Sequence, residues 1–294
     1  MKKHIVQYIA IICMMAMMLF AGGCKLFEPT SAPPASTGGL TVKVLDVGQG
    51  DAILVRHDGK VILIDTGDIE ERPRLLHLLR EEKIGRIDVL LITHPHADHL
   101  GGFEVLAKNY PIDQIYDCGK KTTTKVYRDY KKTVNAKNIP FTIVKQGDVL
   151  EWGDSLRFEV YGPSKMLGEE DNLNNASIAG RLVYGDFSMM LTGDGEVAAE
   201  RVIVTKYKTK LKSTILKAPH HGSKTSSSES FLQAVRPEAV LISVGANNEY
   251  GHPHKKICNR YKKLGYDIYR TDTDGTITVT TDGKGYTIQK ENTR

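Results

Sequence analysis

Three imidazoles and a carboxylate fall within six residues at His94, His96, Asp98 and His99, in the run Leu91-Ile-Thr-His94-Pro-His96-Ala-Asp98-His99-Leu-Gly101-Gly102. Alternate residues of an extended turn point the same way, so His94 and His96 can aim ring nitrogens at one cation about 2 Å away. Asp98 and His99 come from the turn that follows and face a neighbouring point. Such a cluster suits two adjacent divalent ions that activate water and hold two oxygens of a displacement reaction. Packing alone rarely calls for three histidines and an aspartate in one loop.

A centre of this kind needs rigid elements to aim it, and the chain supplies them in alternation. Thr41–Val47, Ala52–Arg56 and Val61–Asp65 read as strands, the last two joined through Asp58-Gly59. Arg72–Lys83 carries Leu75, Leu76, Leu78 and Leu79 as a helical stripe, and the apolar strand Ile87–Thr93 ends at His94. Helix Leu100–Lys108, strand Ile112–Tyr116, helix Lys125–Lys137 and strand Phe141–Val144 complete the first half. The second half repeats the theme. Strands Leu156–Tyr161, Ile178–Tyr184, Ser188–Thr192, Thr214–Ala218 and Ala239–Val244 precede or alternate with helices Glu196–Tyr207, Ser228–Val235 and Lys255–Leu264. Strands near Asp267–Arg270, Thr276–Thr280 and Tyr286–Gln289 close the chain. Two halves, each a mixed sheet with helices on one side, predict an α/β fold of two sheets packed face to face with helices outside.

Residues 1–39 stand apart. Lys2 and Lys3 precede the apolar run Ile5 to Phe20, and Ala21-Gly22-Gly23-Cys24 closes it with small residues and a thiol. This pattern predicts an export signal over 1–23, with Cys24 as the acceptor for a lipid anchor, placing the folded part outside the cytoplasmic membrane. A retained transmembrane anchor is the other reading, since the run is near the lower limit for spanning a bilayer. From Cys24 to Gly39 the chain reads as a flexible linker, because Glu28–Gly39 is rich in Pro, Ser, Thr, Ala and Gly without apolar periodicity. Leu40–Arg294 remains, long enough for one large hydrolase domain. The formal charge of +5 becomes +3 once Lys2 and Lys3 are removed, which does not by itself indicate nucleic acid. Cys118 and Cys258 are expected as two free thiols, and no cysteine zinc site is evident.

The histidine-rich segment resembles the His-x-His-x-Asp-His motif of the metallo-β-lactamase superfamily, which implies an αββα four-layer sandwich. Further matches follow in order. Ile62-Leu-Ile-Asp65-Thr-Gly67 resembles the motif whose aspartate supports the metal loop. Leu191-Thr-Gly193-Asp194 resembles the one whose carboxylate bridges two metals, and Ala218-Pro-His220-His221-Gly222-Ser223 should supply a late histidine ligand, with the choice between His220 and His221 open. A closer resemblance is to the C-terminal β-lactamase-like domain of ComEC-type DNA-uptake (competence) proteins. It rests on Val44-Leu-Asp46-Val-Gly48-Gln49-Gly50-Asp51-Ala, Asn174-Asn175-Ala-Ser177, Pro219-His-His-Gly-Ser223, Tyr250-Gly251-His252-Pro253-His254 and Thr271-Asp-Thr-Asp-Gly275, and covers essentially Leu40 to Gln289. The chain shows no counterpart of the channel domain of those proteins, so a relative of their proposed nuclease part is expected. One departure stands out. The superfamily places a histidine ligand ahead of the strand ending at Asp194, where this chain has Asn172-Leu-Asn174-Asn175-Ala-Ser177. Asparagine suits harder ions better than zinc, so the two expected divalent ions are Mn²⁺ or Zn²⁺, with a weaker second site.

The resemblance implies phosphodiester hydrolysis, with DNA as the expected substrate. Basic stretches at Lys120-Lys121 to Lys132, at Lys206–Lys212 and at Lys255–Lys263 could neutralise phosphates, and Tyr127 and Tyr130 could stack on bases. Lys217, or the hydroxyls of Ser223, Thr225 and Ser226, would stabilise charge on phosphoryl oxygens, and His252 or His254 would supply an acid or a phosphate contact. Asp46, Gln49, Asp51, Asp65 and Asn175 would support the ligands or the substrate. An envelope phosphodiesterase or phosphorylcholine esterase is the alternative with the same chemistry, and a metal-free binding module the alternative without it. Hydrolysis of β-lactams is not expected. The expected partners are the substrate and, through the lipid, a membrane; no obligate protein partner is evident.

Overall fold

A computed structural model describes residues 38–167 and 172–292. The expected export signal, the lipidation site Cys24 and most of the linker lie outside those residues. Two sheets dominate. The first has eight strands: β1 (Leu40–Val44), β2 (Ile53–His57), β3 (Lys60–Ile64), β4 (Val89–Ile92), β5 (Ile115–Asp117), β6 (Phe141–Ile143), β14 (Ile277–Thr281) and β15 (Tyr286–Lys290). Their order is β15-β14-β1-β2-β3-β4-β5-β6. The second has seven: β7 (Val149–Gly153), β8 (Leu156–Val160), β9 (Gly180–Tyr184), β10 (Phe187–Leu191), β11 (Ile215–Lys217), β12 (Ala239–Ile242) and β13 (Asp267–Arg270), ordered β13-β12-β11-β10-β9-β8-β7.

Strand alternation explains the layering, because successive side chains leave opposite faces of a sheet. Leu40, Val42, Val44, Ile62 and Ile64 of the first sheet share one apolar cluster with Trp152, Phe158, Leu182 and Met189 of the second. The intervening residues point outward. Leu54, Leu63 and Leu90 meet Leu75, Leu79 and Phe103 of the helices over the first sheet. Met190, Leu216 and Val240 meet Phe231, Leu232, Ile257 and Tyr261 over the second. Helix, sheet, sheet, helix is the expected four-layer sandwich.

Details differ from the sequence reading. Strand β7 was not anticipated: it is an edge strand with Val149 and Glu151 exposed and only Leu150 and Trp152 buried, too short a pattern to stand out. The helix expected over Leu100–Lys108 is two, α1 (Ala97–Leu100) and α2 (Phe103–Asn109). They join at Gly101-Gly102, where the backbone of the preceding loop passes too close for side chains. A Cβ on Gly101 would lie 2.3 Å from Ile69 N, and one on Gly102 2.2 Å from Thr66 O. Cys118 and Cys258 are free thiols, as expected. Among the described residues no helix is long and apolar enough to cross a membrane.

Candidate metal centre

The chemistry-bearing residues gather where strands of both sheets end. His94 follows β4, Asp194 follows β10, His220 and His221 follow β11, and Ser243 follows β12. Such strand ends are where open α/β sheets expose side chains to a crevice while the backbone stays anchored.

His94, His99, Asp194 and His221 are buried, at 0 to 1% exposure. His99 Nε2 lies 3.2 Å from Asp194 Oδ1 and 3.8 Å from Asp98 Oδ2. His221 Nε2 lies 3.3 Å from Asp98 Oδ2 and 3.6 Å from Asp194 Oδ1. Ligand atoms of these four residues all fall within 4.8 Å of one another. On the other side of the same carboxylate, Asp194 Oδ2 lies 3.6 Å from His220 Nε2 and 4.0 Å from His94 Nε2, which is itself 3.0 Å from His96 Nδ1.

The fit of this cluster to cations rests on its unpaired atoms. His99 Nε2, His221 Nε2 and Asp194 Oδ1 are buried without a hydrogen-bond partner. An unsatisfied buried polar atom costs about 1–3 kcal/mol, so three that converge on one point need an external partner. Electrostatics agree. Burial opposes charge on Asp98 and Asp194, yet His99 and His221 hold both carboxyls below their ordinary value. Burial likewise opposes charge on His99, yet Asp194, Asp98 and Asp65 hold its pKa well above normal. Positive charge is favoured at this point. His94, by contrast, is kept neutral, by burial first and then by His99.

Each ring is oriented by the group behind it. His99 Nδ1 lies 2.8 Å from Asp65 Oδ2, and Asp65 also accepts the Thr93 amide and hydroxyl, both at 2.7 Å. His221 Nδ1 donates to the Ser243 carbonyl at 2.9 Å, which leaves Nε2 facing the centre. His220 Nδ1 meets Thr225 Oγ1 at 3.2 Å and Glu196 Oε1 at 3.6 Å. The two histidines reach opposite oxygens because both adopt left-handed backbone, with φ of 48° and 52°. Non-glycine residues hold that conformation at a cost and cluster at functional sites. The loop before β2 steadies Asp98. Asp51 N donates to Asp98 O at 3.1 Å, and Gly50, at φ 124°, has no room for a Cβ, which would sit 2.3 Å from Asp98 O.

Several residues singled out in the sequence take other places. Lys217 is 1% exposed and its Nζ is hydrogen-bonded to Asp51 Oδ2. It therefore faces a carboxylate inside the protein and not a phosphoryl group. Asn175 accepts the Glu196 amide on its Oδ1 at 3.1 Å, so its oxygen is not aimed at the centre. Ser223 Oγ meets Thr225 Oγ1 at 3.1 Å, and Ser226 Oγ donates to the Gly195 carbonyl at 3.0 Å. Asp46 pairs with Arg74 at the rim, and Gln49 Oε1 accepts the Gly245 amide at 3.2 Å. His254 Nδ1 accepts the Lys224 amide at 3.2 Å. His252 lies closer in, its ring centroid 5.5 Å from His220 and 6.2 Å from His221. Burial, then His221, His220 and His254, lower its pKa to about 4. Tyr127 and Tyr130, expected to stack on bases, are 8% and 2% exposed in the layer over the first sheet, so neither offers a face to a base.

Glu196, Thr93 and Ser243 were not marked as site residues by their motifs, and Thr225, expected as a hydroxyl for the substrate, instead meets His220 Nδ1. Glu196 binds Asn172 Nδ2 at 2.8 Å and Asn174 Nδ2 at 3.2 Å, which links the histidine-free asparagine segment to His220. Its position two residues past Asp194 was the available signal. Beside it, a cleft of about 1020 Å³ runs from Asn175 and Asn172 to Lys120, Lys121, Lys145, Lys165 and Lys206.

Comparison with known proteins agrees with this geometry. The family described as "Metallo-beta-lactamase superfamily" matches residues 45–246. The chain is 32% identical to ComE operon protein 3 of Bacillus subtilis, over 80% of this chain and 32% of that one. It is also 32% identical to Competence protein ComA of Neisseria gonorrhoeae, over 89% of this chain and 35% of that one. The chain thus spans about a third of the length of these relatives. A shorter match, 33% identical over 45% of this chain and 48% of the relative, is to Exodeoxyribonuclease YycJ of Bacillus anthracis. Among solved structures, the metallo-beta-lactamase fold protein YhfI of Bacillus subtilis superposes with a TM-score of 0.54 at 12% identity, covering 82% of this chain and 99% of that one, a likeness of fold.

Proposed function

The chain belongs to the metallo-β-lactamase superfamily, with the residues of a metal-dependent hydrolase, and on that premise we propose that it cleaves phosphodiester bonds of DNA. The carrying observation is the convergence of His99 Nε2, His221 Nε2 and Asp194 Oδ1, buried and without hydrogen-bond partners. We assign one divalent cation, Mn²⁺ or Zn²⁺, to Asp98, His99, His221 and Asp194 Oδ1, and a second to His94, His96, His220 and Asp194 Oδ2. Bound there, the pair would supply an activated water and Lewis-acid charge for the phosphoryl oxygens.

The chain's own groups do the rest. Asp65 and the Ser243 carbonyl hold the Nδ1 protons of His99 and His221, keeping each Nε2 available to the centre. Lys217 neutralises Asp51, whose other oxygen lies 3.4 Å from His221 Nδ1, so its role is to steady that ring from behind. His252, beside the centre and neutral at neutral pH, is placed to accept a proton or a hydrogen bond from the substrate. DNA is favoured over a small diester by the lysines that line the cleft among the described residues, and by the relatives named for competence and for exodeoxyribonuclease activity. The Met1–Cys24 pattern supports an extracytoplasmic, lipid-anchored enzyme, a reading that labelling with a fatty acid and loss of label in Cys24→Ser would test.

The deciding experiment strips metals from the protein and restores Mn²⁺, Zn²⁺ or Mg²⁺ singly. Single-stranded DNA, duplex DNA and bis-p-nitrophenyl phosphate are the substrates, with Asp98→Ala as control. Metal-dependent DNA cleavage that the control loses supports the nuclease. Turnover of the small diester with DNA untouched sinks it in favour of an envelope phosphodiesterase.

A further inference from the structure

Tyr250 is an exposed aromatic on a loop that is otherwise tied down. At the start of the loop, Gly245 N donates to Gln49 Oε1 at 3.2 Å, and at its end His254 N donates to the Gly222 carbonyl at 3.0 Å. Within it, Asn248 Nδ2 donates to the carbonyls of Gly245 and His252 at 2.9 and 2.6 Å, and its Oδ1 accepts the His252 amide at 3.0 Å. Residues 245–254 are thus held in one shape without help from the Tyr250 ring. That ring belongs to none of the three apolar clusters and is 57% exposed. One face lies along His252, with centroids 5.7 Å apart and planes 22° off parallel. His252 in turn sits against His220 and His221, so Tyr250 is the outer ring of an aromatic ladder that starts at the candidate metal centre.

Burial first, and then Asp98, Glu249 and Asp68, raise the pKa of the Tyr250 hydroxyl, so the ring presents a neutral planar face. Resting on the nuclease reading, we propose that Tyr250 is the stacking platform for the nucleobase adjoining the scissile phosphodiester. The lysine-lined cleft lies against the asparagine segment, on different elements, so the backbone and the base would be held by separate surfaces.

The test compares wild type, Tyr250→Ala and Tyr250→Phe on a single-stranded oligonucleotide and on the same strand made abasic throughout. Base–aromatic stacking is worth about 1–3 kcal/mol, so KM for the base-bearing strand should rise roughly 5- to 150-fold in Tyr250→Ala with kcat little changed. Tyr250→Phe should match wild type, and the abasic strand should bind all proteins equally weakly. Equal KM for wild type and Tyr250→Ala, or a loss shared by the abasic strand, overturns the platform. Binding to the Asp98→Ala protein by fluorescence anisotropy separates the two readings. Base-dependent binding lost in the Asp98→Ala, Tyr250→Ala double variant supports the platform even where wild type cleaves no DNA, a result that defeats only the reaction. Wild type that neither binds nor cleaves DNA overturns both.

Discussion

His220 and His221 are adjacent in the chain, yet they meet opposite oxygens of one carboxylate, each Nε2 3.6 Å from Asp194, at Oδ2 and Oδ1 respectively. Left-handed backbone at both residues makes this possible. His220 thereby brings an imidazole to the side of Asp194 that His94 faces, although the segment before β9 has no histidine. Each single substitution to alanine should therefore lower bound metal from two ions to one per chain, measured by elemental analysis after dialysis. The pair should differ in which ion is lost: His221→Ala removes the one shared with Asp98 and His99, so adding Asp98→Ala to it should cost little further metal. A protein that keeps both ions after His220→Ala would exclude that residue as a ligand.

Asp65 is fully buried and joins His99 to Thr93. Asp65→Ala should act twice. Breaking a buried pair by removing one partner costs about 3–5 kcal/mol of stability. Releasing the ring of a metal-binding histidine weakens metal affinity about 10- to 100-fold. Thermal unfolding with excess chelator isolates the first effect, and metal titration at a temperature where the variant is folded isolates the second.

The fold and the metal cluster were legible because both depend on local pattern. Short apolar and β-branched runs marked the strands, and histidines spaced by one residue marked the centre. What escaped depends on contacts far apart in sequence. The pairing of Lys217 with Asp51 joins residues 166 positions apart, and nothing near Lys217 announces it. Tyr127 and Tyr130 looked available for stacking because lysines surround them, but helix periodicity turns both rings inward, Tyr130 against Phe103 and Phe141 and Tyr127 against Tyr130. The choice between His220 and His221 was undecidable from sequence, since two consecutive left-handed residues are not signalled by their side chains.

Asp117 makes stability depend on pH. Burial raises its pKa above the ordinary 3.8, only partly offset by the Gly119 amide, the Tyr130 hydroxyl and Lys131. A carboxyl whose folded pKa is raised contributes fully below its unfolded value, and that contribution is lost as pH rises through the folded one. Asn can replace it without stranding a partner. Its oxygen accepts from Gly119 N and its amide donates to Tyr130 Oη, which accepts as readily as it donates. Asp117→Asn should therefore be at least as stable as wild type at pH 7 and less stable relative to it at pH 4. Denaturant midpoints at both values read this out, and a variant that loses more at pH 7 than at pH 4 reverses the sign.

The two thiols should react at different rates. Burial, reinforced by Asp117, pushes Cys118 up to about 12, while Cys258 is raised less, with Arg270 and Lys262 opposing its burial. The thiolate is the nucleophile, so at pH 8 iodoacetamide should modify Cys258 well before Cys118. Peptide mapping over a time course measures both, and equal rates would mean that the segment after β5 opens on that timescale.

The lysine cleft predicts a salt dependence. Lys121 and Lys145 line it beside Lys165 and Lys206, and Lys206 Nζ is anchored on Gln146 Oε1 at 2.8 Å. Each lysine that neutralises a phosphate of a single strand contributes about −0.7 to the slope of log affinity against log salt. Lys121→Ala and Lys145→Ala should each flatten the slope by roughly that amount, and together by about twice it, because they act on different phosphates. Lys60→Ala, exposed at the hairpin end of β3 away from Asp65, should leave the slope unchanged and so controls for bulk charge. The discriminating quantity is the slope and not affinity at one salt concentration: a distortion of the protein would weaken binding equally at every salt. Equal slopes for all variants would mean that the polyanion follows another path to the metal centre.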